Sequence, residues 1–192
     1  MTRTTYLSPM ERPVERTDAQ VVRDVLEGDR DAYRLLVRRY GDVLFGHAIR
    51  MTGNQDEASD LVQQALVRGF QKLSSCKDPD RVGAWLFRIV ANLCKDHVRS
   101  PRRDDFSLSR FPDVLSGVDN PSTSAEHAET RHRIWAALDD LTPEQREAFV
   151  LKHVEGRSYE EIAAVMDLSV ASLKMRVHRA REALRGLLEE YA

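Results

Sequence analysis

Apolar residues recur at the spacing of an α-helix along two parts of the chain, and this pattern predicts an all-α protein. In the first part, Thr17 or Asp18 is the candidate cap of the first helix, and Asp29 is that of the second. Gly28 and the break at 52–54 interrupt the pattern as helix ends. The predicted helices span about 17–28, 29–52, 55–73 and 82–99.

The pattern is lost between residues 104 and 128, in the sequence DDFSLSRFPDVLSGVDNPSTSAEHA. Two prolines, many serines and aspartates, and the absence of a sustained period predict a linker there. Residues 1–16 are polar and of mixed charge, which predicts a disordered tail. We therefore expect two small helical domains, at 17–103 and 129–192, joined by a flexible linker.

The second domain contains two capping signals after a predicted helix at about 130–140. Thr142 stands three residues before Gln145, and Ser158 stands three residues before Glu161. A serine or threonine at this distance from a glutamine or glutamate has the spacing of a capping box, in which each side chain caps the other's backbone N–H. Both positions are therefore predicted helix starts.

The stretch SYEEIAAVMDLSVASLKMRVHRAREALR, residues 158–185, predicts a helix-turn-helix. A tight turn at 167–169 separates a short helix from a long one that Ser169 caps. The apolar residues of the long helix share one face, and polar and basic residues occupy its other faces. Such a helix fits the major groove and places cations near phosphates on both sides. The alternative is a surface helix whose basic face is only solvated.

Charge is unevenly distributed, although the net charge is only −2. Acidic residues are concentrated at 18–31 and 139–161, and basic residues at 88–103 and 174–185. Local distribution decides nucleic-acid binding, so a nearly neutral total is compatible with two basic surfaces.

Several other classes of protein find no support in the sequence. There is no apolar run long enough for a membrane span and no signal peptide, so we expect a cytoplasmic protein. Cys76 and Cys94 belong to no metal motif; they are read as reduced thiols, with a redox switch as the alternative. The six histidines show no ligand spacing, and no catalytic motif is present. We expect no enzyme activity, cofactor, metal or small-molecule substrate.

Two further stretches, 60-DLVQQALVRGFQKL-73 and 85-WLFRIVANLCKDHVR-99, identify a family together with the helix-turn-helix. They resemble region 2 of bacterial RNA polymerase sigma factors of the extracytoplasmic-function (ECF) group in the sigma-70 family, and 158–185 resembles region 4. The resemblance implies a transcription initiation factor that binds core RNA polymerase and promoter DNA at the −35 and −10 elements and promotes DNA melting. It also implies control by an anti-sigma factor.

The resemblance implies a role for each surface of the first domain. Asp60, Gln63 and Gln64 lie on one helix face, which carries a carboxylate and amides but no cation. Such a face suits a protein partner, and the resemblance implies that this partner is the clamp of core polymerase.

One side of the fourth helix carries an aromatic ring, cations and an amide. These groups suit an unpaired DNA strand, because bases stack on the ring, phosphates pair with the cations and the amide reads a base edge. The apolar positions of this helix predict a buried face that contains Leu86, Ile89, Val90, Leu93 and His97. The candidates for −10 binding and melting, on the other side, are Trp85, Arg88, Asn92, Lys95 and Arg99. For Trp85, packing in the core is the alternative reading.

Carried over by resemblance, the −35 contacts fall on the long helix of the second domain. The candidates are Ser172, Lys174, Met175, Arg176, His178 and Arg179. The departures from the family pattern at Met175, Asp167 and Ala171 leave the −35 sequence open. A stand-alone repressor or activator is the competing class, but it would not need the faces at 60–71 and 85–99, and no dimerisation helix is evident.

Overall fold

The computed structural model describes residues 16–100 and 135–190, with side chains described up to residue 186 in the last helix. These parts are helical, with turns and no strand, as the sequence predicts. The predicted tail, apart from its last residue, and the linker at 104–128 lie outside the described residues. The helices are α1 (Asp18–Leu26), α2 (Tyr33–Thr52), α3 (Gln55–Gln71), α4 (Val82–Arg99), α5 (Pro143–Phe149), α6 (Tyr159–Met166) and α7 (Val170–Glu190). Residues 135–139 are also helical.

Capping boxes start α1, α5 and α6, and those of α5 and α6 confirm the prediction from spacing. At the start of α5 the Gln145 N–H donates to the Thr142 hydroxyl, and the Thr142 N–H donates to the Gln145 side chain. Ser158 and Glu161 make the same reciprocal bonds at α6. Each box satisfies N–H groups that have no partner within the helix.

Two helix ends require a left-handed backbone. Gly53 ends α2 with φ 71°, and Asp167 ends α6 with φ 55°. Glycine adopts this conformation without strain, and aspartate tolerates it better than most residues. The predicted third helix ends earlier than expected, at Gln71, because the chain turns there and buries Leu73 in a short 3₁₀ segment.

The first domain is built on the mutual packing of α2, α3 and α4, with α1 beside them. Leu36, Leu44, Ile49, Leu86 and Val90 are fully buried in its core. Two glycines allow the helices to approach closely, and a Cβ on Gly83 would stand 2.3 Å from a ring carbon of Tyr40. The core therefore holds α4 in a fixed orientation relative to α2 and α3.

The two halves are packed against each other in a continuous apolar core. Ala148, Leu151, Ile162 and Leu173 of the second half belong to the same buried cluster as the residues of α2, α3 and α4. Helix α4 makes this contact against α5 and α6. The two halves lie side by side, and α4 stands between them.

Helix α4 consequently has two buried sides, where the sequence predicted one. Leu86, Val90 and Leu93 are buried as expected. Phe87, Ala91 and Cys94 are buried as well. His97, expected on the buried side, is partly exposed, and its Nε2 lies 3.0 Å from a carboxylate oxygen of Glu57.

Among the described residues, no helix combines the length and apolar character that crossing a membrane requires.

Candidate nucleic-acid interface

The second domain contains a helix-turn-helix whose turn is fixed by local hydrogen bonds. The backbone N–H of Leu168 donates to the carbonyl of Ala163 after the left-handed residue Asp167. Ser169 then caps α7, since its hydroxyl accepts from the N–H of Ser172 at 3.1 Å. These bonds set the angle at which α7 leaves the turn.

Helix α7 places its apolar stripe inward and its polar face outward, as its periodicity predicts. The buried stripe consists of Leu173, Val177, Ala180 and Leu184. Five of the six candidate −35 residues are exposed: Ser172, Lys174, Met175, His178 and Arg179. Arg176 is half-buried, at the flank of the helix. The structure thus brings the −35 candidates together on one accessible face.

An aromatic ring next to this face was not singled out from the sequence. The ammonium of Lys174 lies 5.5 Å from the centre of the Tyr159 ring, and that of Lys152 lies 4.7 Å from it. Both distances are within the range of a cation–π contact. Tyr159 therefore holds two cations at the start of α6.

The candidate −10 residues line one side of α4 but differ in accessibility. Asn92 is exposed. Trp85 is half-buried and packs against the core, with its ring close to Gly69. Trp85 therefore contributes in part to the core, which was the alternative to a contact with DNA.

The three cations of this side of α4 all contact the second domain. The guanidinium of Arg88 donates to the carbonyl of Ala164 in α6 at 3.0 Å. The other two pair with carboxylates of α5, Lys95 with Glu147 at 3.0 Å and Arg99 with Glu144 at 2.5 Å. Neither glutamate could be singled out from the sequence, because acidic residues on helices are usually solvated.

Glu147 is an unusual carboxylate, since its side chain is only 1% exposed. Burial raises its pKa above the ordinary value, although the nearby charge of Lys95 acts in the opposite direction. An ionised carboxylate is costly to bury even when it is paired. The Lys95–Glu147 pair therefore adds little to the free energy of folding, and its main effect is to orient α4 and α5 relative to each other.

A second charged cluster joins α2 to the segment that follows α5 and its π-helical continuation, Val150–Val154. Nδ1 of the buried His47 lies 2.9 Å from Glu155, and Nε of Arg157 donates to the other oxygen of that carboxylate at 2.9 Å. Burial opposes ionisation of Glu155, but the hydrogen bond of His47 and the charge of Arg157 outweigh it and lower its pKa. The Arg157 guanidinium also lies 4.2 Å from the centre of the Phe87 ring on α4.

Arg146 is a further link, and it is fully buried. Its guanidinium donates to the carbonyl of Met51 at 2.7 Å and to that of Leu138 at 2.9 Å, and it pairs with Asp139. The Met51 carbonyl lies in the last turn of α2, where carbonyls lack partners within the helix. Arg146 therefore caps a helix of the first domain from within the second.

The segment between α3 and α4 consists of short turns. Cys76 is buried in it, and its Sγ lies 3.4 Å from the carbonyl of Asp78. Burial raises the pKa of Cys76, and it raises that of Cys94 on α4 to about 12. Both cysteines are free thiols.

The candidate polymerase face lies on α3, away from α4. Asp60, Gln63 and Gln64 are all exposed, next to Val67, of which 56% is accessible. Asp60 forms no ion pair among the residues described. In the same parts of the chain, no group of three or more histidine, cysteine or acidic residues is placed to hold a metal ion.

Comparison with known proteins identifies the family. The profile of sigma-70 region 2 matches residues 36–104, and that of sigma-70 region 4 matches residues 131–184. The chain is 32% identical to the ECF RNA polymerase sigma-E factor of Escherichia coli K12, over 88% of this chain and 92% of that protein. It is 35% identical to the ECF sigma factor SigE of Mycolicibacterium smegmatis over 82% of its length, and it spans 62% of that protein.

Two solved structures are similar in fold. CnrH, in complex with the cytosolic domain of CnrY, matches with a TM-score of 0.61 and 30% identity, over 91% of this chain and 99% of that one. RpoE of Bartonella quintana, in complex with the anti-sigma factor NepR, matches with a TM-score of 0.56 and 28% identity, over 82% of this chain and 96% of that one. The chain therefore belongs to the extracytoplasmic-function group of the sigma-70 family of RNA polymerase sigma factors.

Proposed function

We propose that this protein is a transcription initiation factor that binds core RNA polymerase, directs it to promoters with −35 and −10 elements, and promotes DNA melting. The observation that carries the proposal is the presence of regions 2 and 4 in one chain, in that order. Its domain limits, at 17–103 and 129–192, are part of the proposal. It acts in the cytoplasm, where core polymerase is, and has no reaction of its own.

The −35 element binds to the exposed face of α7. Lys174 and Arg176 contact phosphates on the two flanks, because a cation at the edge of a groove supplies affinity without reading sequence. Ser172, Met175, His178 and Arg179 point away from the buried stripe and meet base edges. Met175 is 53% exposed, which is unusual for a methionine and suits contact with a thymine methyl group.

The opened −10 strand binds along α4. Arg88, Lys95 and Arg99 pair with its phosphates, and Asn92 reads a base edge with its amide. Stacking of a base on an aromatic ring is worth about 1–3 kcal/mol, which offsets part of the cost of leaving the duplex. We assign that surface to Trp85, whose side chain is half-buried.

Core polymerase binds the face of α3 that carries Asp60, Gln63 and Gln64. The carboxylate of Asp60 repels DNA slightly, and the two amides donate and accept hydrogen bonds with a protein. An anti-sigma factor is the expected controlling partner, since the similar RpoE was solved in complex with one.

Binding of promoter DNA with and without core polymerase separates this proposal from a stand-alone repressor. The full-length protein is titrated into a labelled pool of promoter fragments, first alone and then after addition of core enzyme. A sigma factor binds weakly alone and tightly with the enzyme. Tight, specific binding by the free protein, unchanged when core polymerase is added, would instead establish the repressor.

A matched pair of variants locates the polymerase contact. Gln63→Arg introduces a cation on the proposed face of α3, whereas Val43→Arg introduces the same charge at an exposed position of α2. We expect only the first to weaken assembly with core polymerase, measured by co-migration in gel filtration. Equal assembly of the two variants would remove α3 from the interface.

A further inference from the structure

Two lysines from different elements contact the ring of Tyr159, the first residue of α6. Lys152 lies in the π-helical segment Val150–Val154, and Lys174 lies near the start of α7. Their ammonium groups stand 4.7 and 5.5 Å from the centre of the ring. The ring therefore brings together a cation from the segment before the helix-turn-helix and a cation of the helix that enters the groove.

We propose that Tyr159 is a positioning residue for the −35 element: its ring holds Lys174 against one DNA phosphate, and Lys152, held by the same ring, binds a second phosphate. The contact of Lys152 is additional to those assigned above. The inference rests on the proposed function, because the two lysines meet these phosphates only when α7 lies in the major groove.

An aromatic ring suits this purpose better than a carboxylate does. Lysine has a long, flexible stem, so ordering its ammonium group costs conformational entropy when DNA binds. A carboxylate would order the ammonium group but would also cancel its charge. The face of a ring attracts a cation without neutralising it, so the ammonium group remains available to a phosphate.

The partners that the structure gives the two lysines are uncharged groups. Besides contacting the ring, Lys152 donates to the carbonyl of Arg157 at 3.0 Å. Neither lysine forms an ion pair within the described parts of the chain. Glu161, in the same turn as the ring, accepts instead from the backbone N–H of Ser158 at 2.8 Å. Both ammonium groups thus keep their charge for a phosphate.

Packing fixes the position of the ring. Tyr159 is half-buried and packs against the larger apolar core. The capping box of Ser158 and Glu161 sets the start of α6 directly before it. When a helix-turn-helix binds DNA, its first helix crosses the phosphate backbone while the second enters the major groove. The ring and its two lysines therefore belong to the part of the motif that meets phosphates.

The surface beside the ring is positive as well. Desolvation, together with the charges of Arg181 and Lys152, lowers the pKa of His153 in the π-helical segment. Neighbouring cations have this effect because they disfavour the protonated form of a histidine. Lys152 thus lies on the same flank as a cation of α7, and this flank attracts phosphate.

The first test compares Tyr159→Leu with Tyr159→Phe. Leucine keeps an apolar side chain against the core but offers no ring, whereas phenylalanine keeps the ring and loses only the hydroxyl. Each full-length protein is titrated against a short fluorescent duplex of mixed sequence, because phosphate contacts do not depend on sequence. We expect Tyr159→Leu to bind about 2- to 10-fold more weakly, which corresponds to the ordering cost of one long side chain. Tyr159→Phe should bind as the parent does.

The salt dependence of binding identifies the phosphate contacts. Lys152→Ala and Lys174→Ala should each reduce the log–log slope of affinity against salt by about 0.9, the value for one phosphate of B-DNA. Arg38→Ala removes a cation from an exposed position of α2 and should leave the slope close to that of the parent. In the Lys152→Ala/Lys174→Ala background, Tyr159→Leu should have no further effect, because no lysine is left for the ring to hold.

Four results would overturn the inference. Parent-like binding by Tyr159→Leu would show that the ring positions nothing, and an equal loss in Tyr159→Phe would assign the effect to the hydroxyl. A loss that persists without both lysines would leave the ring a structural role alone. The parent's slope in Lys152→Ala would remove the second phosphate contact. Circular dichroism verifies folding, and Tyr159→Met replaces Tyr159→Leu should that variant be unfolded.

Run-off transcription with core polymerase separates this inference from the proposed function. If the parent initiates transcription but Tyr159→Leu binds the duplex as tightly as the parent does, only the positioning role is wrong. Absence of transcripts with the parent contradicts the proposed function itself.

Discussion

Arg179 and Asn92 are exposed on different helices, and they allow the two proposed DNA contacts to be tested separately. We expect Arg179→Ala to weaken docking at the −35 element by about 1–3 kcal/mol, the range for one base or phosphate contact. Asn92→Ala should act later, at opening. Abortive and run-off synthesis on duplex and on pre-opened promoters resolves the two steps.

A pre-opened −10 region should rescue Asn92→Ala but not Arg179→Ala. Arg38→Ala is the matched control, because Arg38 is exposed on α2, outside all of the proposed faces. Equal activity of Arg179→Ala, Asn92→Ala and Arg38→Ala on the duplex promoter would remove both assignments.

The two cysteines give a prediction with a defined pH dependence. Only the thiolate reacts with alkylating reagents, and burial raises the pKa of Cys94 to about 12, so its thiolate is scarce below that pH. We expect iodoacetamide to label the native protein slowly at pH 8, and the denatured protein rapidly at both thiols. Rapid labelling of Cys94 in the native state would point instead to the redox role.

Single residues also mark where sequence reasoning was sufficient and where it was not. Thr142 and Ser158 were identifiable as caps because their partners lie three residues away, within the helix itself. Arg146 and Glu147 were not identifiable as buried, since the groups that bury them, Met51 and Lys95, are distant in sequence. A charged residue is predicted as exposed unless its distant partner is known.

At the scale of elements, glycines determine how closely the helices of the first domain pack. A Cβ on Gly69 would stand 2.5 Å from Leu86 and 2.8 Å from the Tyr33 hydroxyl, whereas one on Gly41 would have no neighbour within 4 Å. Both glycines are helical. The pair therefore separates the effect of crowding from that of helix propensity.

We expect Gly69→Ala to lower the free energy of unfolding by about 1–3 kcal/mol through overpacking. Gly41→Ala should raise it by roughly 0.5–1 kcal/mol, because alanine loses less conformational freedom in a helix. Urea denaturation measures both changes. Equal effects of the two substitutions would contradict the close packing of α3 against α4.

The helices themselves were predictable, but the faces they bury were only partly so. Periodicity located the inner stripe of α7, including Leu173 and Val177, because one side of that helix is buried. On α4 it located Leu86 and Val90 but missed Phe87, Ala91 and Cys94. That second stripe is buried by another domain, and a helix covered from two sides no longer shows a single apolar face.

For the whole molecule, the arrangement of charge matters more than the net charge of −2. The sequence indicated acidic and basic clusters but not that they meet. In the structure, the acidic residues of α5 lie against the basic side of α4. Pairing between the domains depends on how they dock, and the local sequence pattern does not determine docking. These contacts between α4 and α5 were therefore visible only in the fold.

Run-off transcription tests the central claim most directly. The purified protein and core polymerase are mixed with a library of promoter fragments, and transcripts are sequenced to identify their start sites. The account predicts discrete starts that require this protein and share a −35 and a −10 element at fixed spacing. Identical transcripts with and without the protein, or none under any condition in which the core enzyme accepts another sigma factor, would contradict it.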